Sequence, residues 1–130
     1  MSKIYKTTDR IAIKVDDITI KIGPLTFAQK SEVMAMMVKG QKESDYLLLN
    51  QAILKSVSYA VKSVEGFKDS NDEDYKLKFD DSNTDCLDES SLNDLANCAY
   101  SEKILGICSK LLQGVPADFK IDGVEVVEKK

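Results

Sequence analysis

The spacing of apolar residues changes along the chain, and each change marks an element. Between residues 11 and 22, Ile11, Ile13 and Val15 alternate with other residues, Asp16 and Asp17 interrupt, and Ile18, Ile20 and Ile22 resume the alternation. Period-two spacing of β-branched residues predicts strand. A two-residue turn at Asp16 and Asp17 sets Val15 opposite Ile18, Ile13 opposite Ile20 and Ile11 opposite Ile22. All six then share one face, and Lys14, Thr19 and Lys21 take the other. One long kinked strand is the alternative. A lone hairpin is marginal in water, so helices must cover its apolar face.

Gly23 and Pro24 end that pattern, and a helix is expected to follow. Thr26 and Gln29 have capping-box spacing, in which the threonine oxygen takes a first-turn N–H and the glutamine reaches back. Phe27, Met34 and Val38 are expected to face inward, with Gly40 as the stop. Val33 and Met36 fall off that face. They either fill gaps in a core or mark a partner surface, since methionine adapts to both.

After a short polar link at residues 41–44 comes the longest helical pattern, residues 45–64, so two antiparallel helices are expected. Tyr46, Leu49, Ile53, Val57, Ala60, Val61 and Val64 recur at steps of three and four and line one face. A second apolar line, Leu48, Ala52 and Tyr59, lies more than a quarter turn away. A helix apolar on two sides is either central in its fold or shared with a partner. The expectation is that Leu48 and Tyr59 face a neighbouring subunit or client, unless later helices wrap round. Together, Val33, Met36, Leu48, Ala52 and Tyr59 are the candidate self-association and partner residues.

Residues 67–74 are polar and acidic. Asp69, Asn71 and Glu73 resemble the start of a calcium loop, but Asp74 stands where such a loop needs glycine and Asp80 where it needs glutamate. Tyr75, Leu77 and Phe79 alternate with Lys76 and Lys78, as in a short strand or extended edge. Asp88 can cap a third helix, with Leu87 and Leu92 at staple spacing and Leu92, Leu95, Ala96 and Ala99 inward. Ser101 is expected to cap a fourth, with Ile104, Ile107, Cys108 and Leu111 inward and Gly114 and Pro116 ending it. Residues 117–130 have no sustained period and read as a loosely held or extended tail.

The fold class expected is therefore α+β and mostly helical. An N-terminal β-hairpin packs on an αα-hairpin, followed by a short strand and two further helices. Residues 1–116 form one domain and residues 117–130 the tail, which suits a chain of 130 residues.

Composition narrows the chemistry. There is no histidine, so the commonest general base and metal ligand is missing. No P-loop, GxGxxG or GxSxG occurs. The three cysteines, Cys86, Cys98 and Cys108, include no CxxC pair and read as reduced thiols. No enzyme activity, metal or cofactor is expected. A formal charge of −4, scattered basic residues and no tryptophan argue against nucleic acid as a partner. No apolar run is long enough for a membrane span, and the N-terminus lacks a signal-peptide core, which points to the cytoplasm. Residues 1–40 carry seven basic and four acidic side chains, whereas residues 67–94 carry three basic and ten acidic. That asymmetry either orients copies head to tail or reflects a solvated acidic loop.

The order of elements resembles the tail assembly chaperones of lambda-like long-tailed bacteriophages. The resemblance spans roughly residues 11–116. It rests on alternating strand residues leading into Pro24, Leu25 and Thr26, the helix pair, the acidic stretch with Tyr75, Leu77 and Phe79, and a late helical pair from Leu87 and Asp88 to Leu112. It is a resemblance of pattern, since that family has no invariant catalytic signature. It implies a homo-oligomeric protein of the host cytoplasm that binds and solubilises the tape measure protein. It further implies recruitment of tail tube subunits and departure before the virion matures. Such genes often yield a longer frameshifted product as well. The alternative is a structural virion protein such as a head–tail connector component.

Overall fold

The computed structural model describes residues 6–82, 85–111 and 125–129. Strands β1 (Arg10–Val15) and β2 (Ile18–Ile22) form the expected hairpin. Its register pairs Ile11 with Ile22, Ile13 with Ile20 and Val15 with Ile18. Asp16 takes a positive φ of 53° to make the turn, a conformation that aspartate tolerates better than most residues. All six branched residues are buried.

Helix α1 (Phe27–Glu43) begins at the expected capping box: Thr26 accepts from the Gln29 N–H, and the Gln29 side chain accepts from the Thr26 N–H. It does not stop at Gly40. It runs on to Glu43 and closes through Ser44 in the left-handed conformation, with the Asp45 N–H donating to the Gly40 carbonyl. Asp45 at once caps helix α2 (Tyr46–Ala60) by accepting from the Leu48 N–H. The link between the helices is thus two residues, not four. Gly40 serves the helix crossing instead. A Cβ there would stand 2.9 Å from the Leu49 side chain.

The expected inward face of α1 is reversed. Val33 is fully buried and Met36 and Met37 pack against the core, whereas Phe27, Met34 and Val38 are exposed. Two apolar stripes run along this helix, and the close approach of α2 at Gly40 decides which one is covered.

The long helix also ends earlier than its pattern suggests. Residues Val61–Glu65 are strand β3, which pairs antiparallel with β2. Ile20 stands opposite Val64 and Ile22 opposite Val61, so Lys62 or its neighbour is an extra residue in a bulge. The bulge puts Val61 and Val64 on one face although they are three apart. That spacing is what imitates a helix.

Residues 67–82 and 85–88 are mostly irregular. Tyr75, Leu77 and Phe79 are half-buried and Lys76 and Lys78 exposed, so the alternation is present. The stretch makes isolated bridges at Asp74 and Phe79 without joining the sheet. Asp69 accepts from the Asn71 and Glu73 N–H groups, and Asp80 from the Ser82 N–H, so these carboxylates organise turns. Helix α3 (Glu89–Asn97) starts at Asp88, which accepts from the Ser91 N–H. Leu95 is buried, but Ala99 is exposed beyond the helix end. Helix α4 (Ser101–Leu111) buries Ile104, Ile107 and Cys108. Its expected stop at Gly114 and Pro116 lies outside the described residues. From the tail, Glu125–Lys129 form strand β4, which pairs with β1 and is not a loose end.

The chain is α+β and mostly helical, with an antiparallel sheet in the order β3-β2-β1-β4. Helix α2 is its centre, packed on α1, α3 and α4. Its buried Ser56 and Ser58 are satisfied by the carbonyls of Ile53 and Lys55. Two tyrosines tie the periphery together. Tyr75 donates to Asp94 at 2.6 Å, and Tyr100 donates to Asp17 in the hairpin turn at 3.2 Å.

Burial pushes the Cys108 thiol up from 9.0 to about 12. Below pH 9 the thiol is protonated in both folded and unfolded chains. Above it, the unfolded chain releases a proton that the folded chain keeps, so stability falls as pH rises, by ~1.4 kcal/mol at pH 10. Urea titrations from pH 8 to 10.5 should show a shallower loss for Cys108→Ala than for the wild type. Equal slopes would mean that this thiol ionises in the folded protein.

Candidate functional site

The largest departure from an ordinary surface lies on the helical hairpin. Phe27 is 85% exposed, Tyr46 75%, Leu47 68%, Val38 59% and Met34 44%. Phe27, Met34 and Val38 are separated by seven and four residues, so they form a line along α1. Tyr46 and Leu47 open α2, at the end where the two helices join. Isolated exposed leucines are common. A line of large side chains on one element is the informative case.

A second feature is a groove of about 380 Å³ between α2 and α4, lined by Asn50, Ile53, Leu54, Leu105, Gly106 and Ser109. Gly106 lies in mid-helix, and a Cβ placed there would meet nothing within 4 Å. The groove floor is therefore open where the helix has no side chain.

The residues that the sequence singled out are placed differently. Val33 and Ala52 are fully buried and Tyr59 is 6% exposed. Met36 and Leu48 are half-buried, with Met36 packed on the core. The expectation that Val33, Ala52 and Tyr59 present an exposed second surface is thus corrected. Tyr59 reaches α1, where its hydroxyl donates to Glu32 at 2.6 Å. Lys55 stands 3.8 Å from the same carboxylate and 5.2 Å from the Tyr59 ring centre. Burial, and then the Glu32 hydrogen bond and charge, hold the Tyr59 hydroxyl well above its ordinary pKa, so it remains a donor. Helix α1 thus meets both stripes of α2, at Tyr59 through Glu32 and at Leu49 through Gly40, while Ile53 of the first stripe lines the groove beside α4.

Chemistry-bearing clusters are sparse. Among the described residues no group of three or more cysteine, aspartate or glutamate side chains is placed to hold a metal ion. Among the same residues no helix is long and apolar enough to cross a membrane. Comparison with protein-family models, curated proteins and solved structures found no match to this chain.

The sequence did carry a signal for the exposed line. Phe27, Met34 and Val38 are legible as an apolar stripe, but their spacing alone predicts that this stripe faces the core, whereas all three are exposed. Periodicity makes Tyr46 the first residue of the α2 core stripe, yet at the start of the helix it is exposed.

Proposed function

We propose that this protein is a tail assembly chaperone of the lambda-like bacteriophage type. In this reading it binds the tape measure protein, keeps it soluble in the host cytoplasm, self-associates, recruits tail tube subunits and leaves before the virion is complete. It is a binding protein and not an enzyme. The observation that supports the reading is the exposed apolar line of Phe27, Met34 and Val38, with Tyr46 and Leu47 at the helix junction. An amphipathic helical client offers a complementary stripe at the same spacing.

The expected strength suits a transient complex. Burying each large apolar side chain contributes about 1.5–3 kcal/mol, while association costs at least several kcal/mol in lost freedom. Three to five anchors leave a net affinity that is useful and reversible.

Co-expression with the tape measure protein tests this. The wild-type chain should bring the client into the soluble fraction and co-purify with it, and should form larger species as its concentration rises. A chain that stays monomeric and leaves the client insoluble would overturn the reading. Stoichiometric copies in purified mature particles would instead make it a structural virion component.

A further inference from the structure

Two apolar surfaces of this chain face different ways and have opposite shapes. The first is the ridge on α1. Val38 and Met34 stand four and eight residues before Lys42, so the exposed apolar line ends in an exposed cation. Its neighbours Ser31 and Ala35 are small and exposed, which leaves the larger side chains standing clear.

The second surface is the groove between α2 and α4. Tyr46 and Leu47 precede Ile53 and Leu54 by seven residues each, so these two exposed side chains prolong the α2 wall. On the α4 side, Gly106 leaves the floor open. Glu102 precedes Leu105, Gly106 and Ser109 by three, four and seven residues, so an exposed carboxylate ends that wall. Neither Lys42 nor Glu102 has an ion-pair partner among the described residues.

A single copy cannot join the two surfaces. Helix α1 meets α2 at Leu49 and Tyr59. With about 3.6 residues per turn, Asn50 and Leu54 lie between a quarter and a half turn round α2 from those contacts.

We propose that the chain self-associates head to tail, with the α1 ridge of one copy seated in the α2–α4 groove of the next. Spacing and charge both select this occupant. With the two helices antiparallel, Lys42 meets Glu102, Val38 comes over Gly106 and Met34 over Ser109. The lengths agree, since the ridge segment spans roughly 12 Å and the α4 wall roughly 10 Å. The missing side chain at Gly106 admits a ridge residue, and the ion pair fixes the direction. Such a contact uses different patches on the two copies, so it repeats into chains or rings, whereas a two-fold contact closes at a dimer. The inference rests on the self-association in the reading above and names the two faces that make it. Client and neighbouring copy then share the ridge, so a bound client ends the chain.

Sedimentation velocity over a range of concentrations provides the test. The wild type should grow beyond a dimer. Gly106→Leu should fold, because a Cβ there meets nothing within 4 Å, but it fills the groove and should weaken association at least about tenfold. Lys42→Glu and Glu102→Lys should each weaken it about threefold, and the double variant should recover it. Met34→Asp has a blocked ridge and an intact groove, and Gly106→Leu the reverse. Each alone should be monomeric, and their mixture should stop at a one-to-one dimer. Wild-type association by Gly106→Leu, no dimer in the mixture, or a closed wild-type dimer would overturn the proposal. The client assay separates it from the chaperone reading, because Gly106→Leu keeps the ridge and should still solubilise the tape measure protein. Chain growth without client rescue removes the chaperone reading and leaves this contact standing. Client rescue by a Gly106→Leu chain that associates as the wild type does the opposite.

Discussion

Gly66→Ala is expected to destabilise the fold by roughly 2–4 kcal/mol, a large share of what a domain of this size possesses. Gly66 follows β3 with φ of +93°, a conformation that side chains rarely adopt. Space is the second obstacle. A Cβ would stand 2.5 Å from the Asp17 carbonyl oxygen and 3.1 Å from the Ile18 Cα. Both are backbone atoms held by the β1–β2 turn and by the pairing of Ile18 with Val15, so neither can yield cheaply. Gly106→Ala is the control. That glycine is helical with open space around it, so alanine should stabilise by about 0.5–1 kcal/mol. Equilibrium urea unfolding of both variants decides the matter. A Gly66→Ala chain within 0.5 kcal/mol of wild type would show that the turn relaxes freely.

The second large effect separates fold from function on two adjacent residues. Val33→Asp should unfold the protein or cost about 3–5 kcal/mol, because it places a carboxylate at a fully buried site in the hydrophobic core. Met34→Asp should change stability by no more than about 0.5 kcal/mol, since Met34 is 44% exposed. It should nevertheless remove the ability to solubilise a tape measure client. Circular dichroism, urea unfolding and the co-expression assay read these outcomes separately. If Met34→Asp retains full client binding while remaining folded, the exposed line on α1 is not the client surface. If Val33→Asp is as stable as wild type, the assignment of the α1 faces is wrong.

The pairs that were legible in the sequence depend on near neighbours. The Asp16–Asp17 turn aligns Ile11, Ile13 and Val15 with Ile22, Ile20 and Ile18 because period-two spacing and a two-residue loop leave one register that buries all six. Thr26 with Gln29, and Asp88 ahead of Ser91, act over three residues. The candidate surface was only half legible. Phe27, Met34 and Val38 announced a stripe, but nothing local says whether a stripe meets the core or the solvent.

What the sequence alone determined, then, is the hairpin with its register, the helix starts at Thr26, Asp45 and Asp88, and the mixed, mostly helical class. Each follows from contacts within a few residues, whose cost in chain entropy is small. Only the tertiary structure decided the rest. Helix α1 turned Val33 inward because Gly40 lets α2 approach Leu49 closely, which left Phe27 outside. The chain left the helix at Val61 because β2 offered a ladder and a bulge that keep Val61 and Val64 against the core. Glu125–Lys129 became a strand because β1 had an open edge. Tyr59 became core because α1 folds back to meet it at Glu32, and Ala52 is buried within the same helical layer. Periodicity states that a face is apolar. Which partner covers it is settled by distant residues, and the exposed line on α1 is the face that the fold left uncovered.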